Sequence, residues 1–164
     1  MKQISQWFSR VAFCLALSLL SSCQVKVEDI RFGEDQCHFC KMVISDPKFG
    51  SELVTEKGKV YKFDAAECMV SYLKNASDIQ QEYAFVTAVA YDTPHELHDV
   101  NELIFLISPE IPSPMGAFLS AYESEEVAYD KQKENGGSLY NWKEVLTQVN
   151  PITNTNWKLS DTNE

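Results

Sequence analysis

Positive charge is scarce in this sequence. Lys and Arg number 14 against 24 Asp and Glu, which gives a net charge of −10 over 164 residues. A chain with this balance repels phosphate groups, so it argues against a nucleic-acid partner and against electrostatic adhesion to anionic lipid. The excess of carboxylates suits a soluble domain and would attract cations. Hydrophobic residues make up 45%, which is ordinary for one domain or a compact pair of subdomains.

Membrane-spanning runs and catalytic signatures are also missing. The apolar run Val11 to Leu20 (VAFCLALSLL) has ten residues. That is short for crossing a bilayer but typical of the central part of a signal peptide. The sequence shows no phosphate-binding loop, no Ser-His-Asp order and no carboxylates paired for acid–base catalysis. It therefore does not indicate an enzyme.

The apolar run lies in a segment with the features of an export signal. The basic residues Lys2 and Arg10 precede it. Leu20-Ser21-Ser22-Cys23 resembles a bacterial lipobox, in which the signal peptide is cut before the cysteine and lipid is attached to that cysteine. We predict a lipoprotein signal peptide at 1–22, lipid attachment at Cys23 and a polar linker at 23–36. Two or three acyl chains would anchor the protein firmly to a membrane, facing the periplasm. An ordinary secretory signal, which needs no cysteine at the cut, is the alternative.

Removal of the signal changes the cysteine count. The mature chain has a net charge of −12, because the signal carries two basic residues and no acidic one. With Cys23 blocked by lipid, the thiols of Cys37, Cys40 and Cys68 remain. An export compartment permits disulfides, but a pure disulfide scaffold would leave one thiol over. The odd number indicates a metal or redox role.

Residues 37–92 predict a first ββαβ unit. Strand patterns cover residues 51–56 and 59–63, a helix pattern covers 64–75, and another strand pattern covers 84–91. Asp64 and Glu67 have the spacing of a capping box at the start of this helix.

Residues 93–150 predict a second ββαβ-like unit that repeats this plan. Strand patterns cover 102–108 and start again at 115, a helix runs from Ser124 to Gly136, and residues 138–140 form a short strand. Asn141 is expected to cap a last helix over 142–149, and 151–164 is a polar tail. The fold class is therefore α+β, with two ββαβ-like units and a C-terminal helix.

The strongest chemical signal is Cys37-His38-Phe39-Cys40-Lys41-Met42. Two thiolates at this spacing can hold one soft metal ion, and Met42 can add a thioether from the same side of an extended stretch. Thiolate and thioether together select Cu(I), because zinc rarely accepts a thioether.

Three other interpretations of the motif stay open. A structural zinc site could combine Cys37, Cys40 and Cys68 with a histidine such as His38. A thioredoxin-like redox pair is less favoured, because such a pair normally opens a helix, whereas residues 42–44 have a strand pattern. A plain structural disulfide is the third.

Other candidates are weaker. Met115 lies between Pro114 and Gly116, a setting that could display its side chain, although most such methionines fill a core. His95 and His98 are best explained as solvated loop residues. Cys68 is interpreted as a buried helix residue rather than a ligand.

Taken in order, the motifs resemble the NosL family of nitrous oxide reductase accessory proteins. The matching segments are LSSC at 20–23, CHFCKM at 37–42, GKVYKFDAAECMVSYL at 58–73, PMGAFLSAY at 114–122 and VAYDKQKENGG at 127–137. Lys41 replaces the usual glycine of the family motif, and Leu97 to Val100 stand where the family has a tryptophan-containing stretch.

The resemblance implies a fold of two ββαβ units and a lipoprotein that binds Cu(I) rather than an enzyme. By resemblance the ligands fall on Cys40, Met42 and Met115, with Cys37 as a further ligand. The implied partners are nitrous oxide reductase, as the periplasmic copper enzyme, and the ABC-type machinery that matures it.

Overall fold

The computed structural model of the protein describes residues 24–75 and 82–152. The predicted signal peptide, Cys23 and nearly all of the predicted polar tail lie outside the described residues. Within the described ranges, the helices lack the length and apolar character that crossing a bilayer requires.

The first unit is a four-stranded antiparallel sheet with one helix. Its elements are β1 (Ser51–Thr55), β2 (Val60–Phe63), α1 (Ala66–Asn75), β3 (Tyr83–Val89) and β4 (Leu97–Asp99). The strand order is β2-β1-β3-β4. Every residue of β1 is buried, because it lies between β2 and β3 with α1 against it. In the register, Ser51 stands between Phe63 and Ala88.

The second unit repeats this connectivity with a smaller sheet. It consists of β5 (Ile104–Ile107), β6 (Leu119–Tyr122), α2 (Glu125–Asn135), β7 (Ser138–Tyr140) and the C-terminal helix α3 (Trp142–Gln148). The strand order is β6-β5-β7, with both pairings antiparallel. In each unit the first strand is flanked by the second strand and by the strand that follows the helix. The predicted α+β fold of two ββαβ-like units is confirmed.

Several boundaries differ from the sequence prediction. Strand β4 pairs with β3, so the first sheet continues to Asp99, beyond the predicted end of the first unit at residue 92. The strand expected to start at Met115 begins only at Leu119, because Gly116 and Phe118 have positive φ angles of 77° and 58° that interrupt extended backbone. The predicted strand at residues 42–44 is reduced to one isolated bridge, at Val43.

The helix caps agree with the sequence in two of three cases. Ser124 caps α2, and Asn141 with Glu144 forms a capping box on α3. The capping box predicted at the start of α1 is wrong, and the Asp64 carboxylate accepts a hydrogen bond from the backbone N–H of Ser45. The Glu67 carboxylate accepts hydrogen bonds from the second unit instead of from the backbone N–H of Asp64.

One hydrophobic core joins the two units. Phe39, Phe63 and Tyr72 of the first unit belong to the same buried cluster as Phe105 and Trp142 of the second. Because the units share a core, a loop of the second unit can be held at a fixed position against the first.

The predicted linker is folded against the first unit over much of its length. Ile30 is buried in the core, and the Nζ atom of Lys62 on β2 donates to the carbonyl of Asp29 at 2.7 Å and to Asp35 Oδ2 at 2.9 Å. Gln36 forms the bridge to Val43. A polar composition did not reveal this docking, because it rests on Ile30, on backbone groups and on Asp35, while most polar side chains of the segment remain exposed.

Candidate metal centre

A tight backbone loop holds the first two cysteines. The N–H of Cys37 donates to the Met42 carbonyl at 2.8 Å, and the N–H of Lys41 donates to the Cys37 carbonyl at 3.0 Å. The N–H of Cys40 lies 3.4 Å from Cys37 Sγ. The loop is fixed to β2, because the N–H of His38 donates to the Lys62 carbonyl at 2.7 Å.

Lys41 closes this loop with a φ of 64°, in the left-handed region. Glycine adopts that conformation without a penalty, whereas a side chain with a Cβ is strained there. The loop therefore forms with lysine at the position where the resemblance expects glycine, and the strain is borne by the surrounding hydrogen bonds.

Cys68, early in α1, completes a group of three. The Sγ atoms of Cys37, Cys40 and Cys68 all lie within 4.8 Å of one another, and all three are free thiols. Cys37 and Cys68 are fully buried, whereas Cys40 is only partly buried. The group therefore has an interior side and one sulfur towards the surface.

Hydrogen bonding among the thiols favours one shared negative charge. The thiols of Cys40 and Cys68 both lower the pKa of Cys37, as do the backbone N–H groups of Asp64 and Cys40. The same bonds raise the pKa values of Cys40 and Cys68, which act as donors to Cys37. A soft cation that replaced the two thiol protons would meet three sulfurs already gathered at one point.

An open cleft lies at the junction of the two units. Its volume is about 360 Å³, and its walls include Met42 and Asp64 from the first unit and Pro112 to Pro114 from the second. The three cysteines do not line it; it approaches their group through Met42, two residues after Cys40, and through Asp64, whose N–H bonds to Cys37. Met42 is 52% exposed, so its thioether is available at the rim of the cleft.

Two buried carboxylates lie next to the cysteines in the chain. Desolvation raises the pKa of Asp64 to about 6, and the negative charge of Cys37 acts in the same direction. Desolvation also raises the pKa of Glu67, although hydrogen bonds from Ser113, Met115 and Ala117 oppose it. One oxygen of each, Asp64 Oδ1 and Glu67 Oε2, has no hydrogen-bond partner.

Met115 lies in the loop of the second unit that borders the cleft. Its side chain is partly buried and packs against the shared core. Its backbone N–H donates to Glu67 Oε1 at 2.8 Å, and Ser113 Oγ donates to the same oxygen at 2.8 Å. Since Glu67 directly precedes Cys68, the Met115 backbone is bound to the helical turn that carries the third thiol.

The histidines do not join the cysteine group in the described part of the chain. His38 packs against the rings of Tyr61 and Tyr72. His95 contacts Phe32, and His98 Nε2 lies 2.9 Å from Thr93 Oγ1.

The structure thus gathers Cys37 and Cys40, leaves Met42 at the rim and binds the backbone of Met115 to the neighbour of Cys68. The expectation that Cys68 is only a buried helix residue is incomplete, because it is buried and also part of the sulfur group. The odd number of thiols, and the zinc alternative that included Cys68, were the signals in the sequence.

Comparison with known proteins gives the family. Residues 30–150 match the sequence model of the NosL family. The fold resembles the crystal structure of the copper chaperone NosL from Shewanella denitrificans, with a TM-score of 0.64 and 20% sequence identity. That likeness covers 74% of this chain and 96% of the other. Among curated proteins no sequence match is found. Because the family match spans well over half of the sequence, the chain belongs to the NosL family.

Proposed function

We propose that this protein is a chaperone that binds Cu(I) and delivers it for the assembly of a periplasmic copper enzyme. The observation that carries the proposal is the group of three free thiols, whose sulfurs lie within 4.8 Å of one another. Thiolate sulfur selects Cu(I) over hard cations. The related chain from Shewanella denitrificans is itself described as a copper chaperone.

The proposed ligands are Cys37, Cys40 and Cys68, with the thioethers of Met42, at the rim of the cleft, and of Met115, in the loop that borders the cleft, as further donors. A site of two or three sulfurs protects Cu(I) yet can still exchange it, because an incoming thiolate or imidazole can bind before a donor leaves. Partial burial of Cys40 and exposure of Met42 suit such an exchange. This role requires transfer of an ion and no bond-breaking chemistry, so we do not propose an enzyme.

The further parts of the proposal concern location and partners. A lipid anchor on Cys23 would attach the protein to a membrane on its periplasmic side. Nitrous oxide reductase is the proposed copper enzyme, and an ABC-type maturation machinery is the other proposed partner. Both proposals are supported by the resemblance of the sequence motifs to those of nitrous oxide reductase accessory proteins.

A structural zinc site is the second candidate. The tight loop supplies Cys37 and Cys40, and helix α1, which follows the β1–β2 hairpin, supplies Cys68. This arrangement is common in zinc modules and favours the second candidate. Such sites are usually closed by a fourth ligand. In residues 24–75 and 82–152 no His, Asp or Glu atom joins the three sulfurs.

Anaerobic metal reconstitution separates these functions. The reduced protein is titrated with Cu(I) in the presence of a competing Cu(I) chelator, and separately with Zn(II). We expect tight binding of Cu(I), reduced at least tenfold, about 1.4 kcal/mol, in Cys37→Ser, Cys40→Ser or Cys68→Ser. Tight zinc binding with no measurable Cu(I) binding would favour the structural zinc site. Binding of neither metal, together with rapid reduction of a disulfide substrate, would indicate a thiol oxidoreductase.

A further inference from the structure

Glu67 occupies a position where a glutamate normally serves its own helix. It lies in the first turn of α1, where a carboxylate favours the positive end of the helix dipole and often caps a backbone N–H. Here the side chain is fully buried instead, and a buried carboxylate is unfavourable unless hydrogen bonds compensate for lost water. Its partners therefore indicate what the burial achieves.

All of those partners come from one loop of the second unit. Ser113 Oγ and the Met115 N–H donate to Oε1, each at 2.8 Å, and the Ala117 N–H also donates to the carboxylate. The loop closes on itself between them, since the Gly116 N–H donates to the Ser113 carbonyl at 3.0 Å. The carboxylate thus binds the backbone N–H groups of Met115 and Ala117 and the side-chain hydroxyl of Ser113.

The same helical turn carries a thiol. Cys68 follows Glu67 directly, and its Sγ lies in the group with Cys37 and Cys40. The placement of the Met115 backbone relative to Cys68 is therefore set through two adjacent residues of one helix. Loss of the Glu67 carboxylate would leave these partly buried loop donors without their acceptor, which favours displacement of the loop.

We propose that Glu67 is a positioning residue that seats the Ser113–Ala117 loop so that Met115 can take part in Cu(I) binding with the cysteine group. The inference rests on the proposed function for its metal. The placement of the loop by Glu67 rests on the hydrogen bonds alone and can be measured without metal.

The first measurement uses the metal-free, full-length protein. Amide hydrogen exchange at Met115 and oxidation of its thioether by peroxide are compared in wild type, Glu67→Ala and Glu67→Gln. We expect both rates to rise at least tenfold in Glu67→Ala. Glu67→Gln should stay close to wild type, because its amide oxygen can still accept the loop donors. Unchanged rates in Glu67→Ala would overturn the proposal.

The second measurement is a competitive Cu(I) titration of the same variants with Met115→Ala and the Glu67→Ala/Met115→Ala double variant. Glu67→Ala should weaken Cu(I) binding about as much as Met115→Ala, and the double variant should be no weaker than Met115→Ala. X-ray absorption should show loss of the same sulfur ligand in each. Full additivity of the two substitutions would overturn the role through Met115.

A matched control is Glu144→Ala, which removes a glutamate that does cap its own helix, α3. It should lower stability while leaving Cu(I) affinity and Met115 exchange unchanged. Should Glu67→Ala fail to fold, Ser113→Ala removes one donor and should raise Met115 exchange to a smaller degree; no rise would overturn the proposal. Wild type that binds no Cu(I), while Glu67→Ala still loosens the loop, would contradict the proposed function and leave the positioning role supported.

Discussion

The backbone N–H of Glu28 donates to the buried carboxylate of Glu52 at 2.9 Å, so the segment before Cys37 is bonded directly to strand β1, inside the first sheet. Glu52 is fully buried, and its other oxygen has no hydrogen-bond partner. Desolvation raises its pKa from 4.5 to about 7, although the Glu28 N–H and the charge of Lys62 oppose the rise. The folded protein therefore holds this proton where an unfolded chain releases it.

This relationship predicts a pH dependence of stability. Between pH 4.5 and about 7 the folded state binds more protons at Glu52 than the unfolded state, so the contribution of Glu52 to the free energy of unfolding falls as pH rises. Glu52→Gln should remove that fall and stabilise the protein above pH 7 by about 2 kcal/mol relative to wild type. Urea unfolding at several pH values tests it, with Glu102→Gln at an exposed site as control. An identical pH profile in wild type and Glu52→Gln would contradict it.

The strained backbone at Lys41 predicts that glycine at this position raises the stability of the metal-free protein. Lys41 has a φ of 64°, so Lys41→Gly and Lys41→Ala remove the same side-chain contacts but only glycine relieves the backbone. Lys41→Gly should be more stable than Lys41→Ala by about 1 kcal/mol, the left-handed penalty less the extra freedom of glycine when unfolded. Chemical denaturation of the metal-free variants measures the difference. Equal stabilities would mean that the backbone at Lys41 relaxes in solution.

The two methionines should respond differently to truncation. Met42 is 52% exposed, so Met42→Ala should lower Cu(I) affinity with little effect on folding. Met115 packs partly against the core, so Met115→Ala should lower affinity by at least about tenfold and also reduce stability. Denaturation and a competitive Cu(I) titration on each variant test this. Lost stability with unchanged affinity in Met115→Ala would make Met115 a core residue only.

Oxidation should close the metal site. Cys37 and Cys40 lie in one tight loop and can form a disulfide, and only thiolates bind Cu(I) tightly. A mild thiol oxidant should abolish tight binding and a reductant should restore it. Cys68 alone would then remain as a thiol, which mass spectrometry after alkylation can identify. Full Cu(I) affinity in the oxidised protein would exclude the cysteines as ligands.

The anchor predicted from the lipobox resemblance has its own test. Cys23→Ala should abolish acyl labelling and release the protein from pelleted membranes, because no other thiol lies at the predicted cut site. Cys14→Ala, within the predicted signal, is the matched control and should behave like wild type. Continued pelleting of Cys23→Ala would show that another segment holds the membrane.

Local patterns in the sequence were sufficient for most elements, though not for strand β4, and for half of the candidate site. The loop of Cys37 and Cys40 depends on residues within six positions, and the Asn141–Glu144 cap on residues within four. Cys68 enters the group only because the hairpin of β1 and β2 returns the chain to the loop of Cys37 and Cys40. That is a tertiary effect without a local pattern.

Glu67 shows how a local rule can be overridden. Its spacing from Asp64 matches a capping box, but a buried interface with three donors from another unit offers the carboxylate more hydrogen bonds than its own helix does. The docked segment before Cys37 was missed for a related reason, because Lys62 lies more than twenty residues away in the sequence.

The docked segment also limits the distance between the cysteine group and the proposed lipid anchor. Val25 packs beside the Gly58 turn, 3.9 Å from where a Cβ on Gly58 would lie, and only Gln24 separates it from the proposed lipid at Cys23. Val25, which contacts the hairpin tip, is thereby kept within about 7 Å of the anchor point, Cα to Cα. From Gly58 the chain runs along β2 to Asp64, whose N–H bonds to Cys37; six residues of strand span at most about 20 Å. These lengths set an upper limit on how far the cysteine group can stand from a lipid on Cys23, and lengthening the chain between Cys23 and Val25 would raise that limit without altering the site.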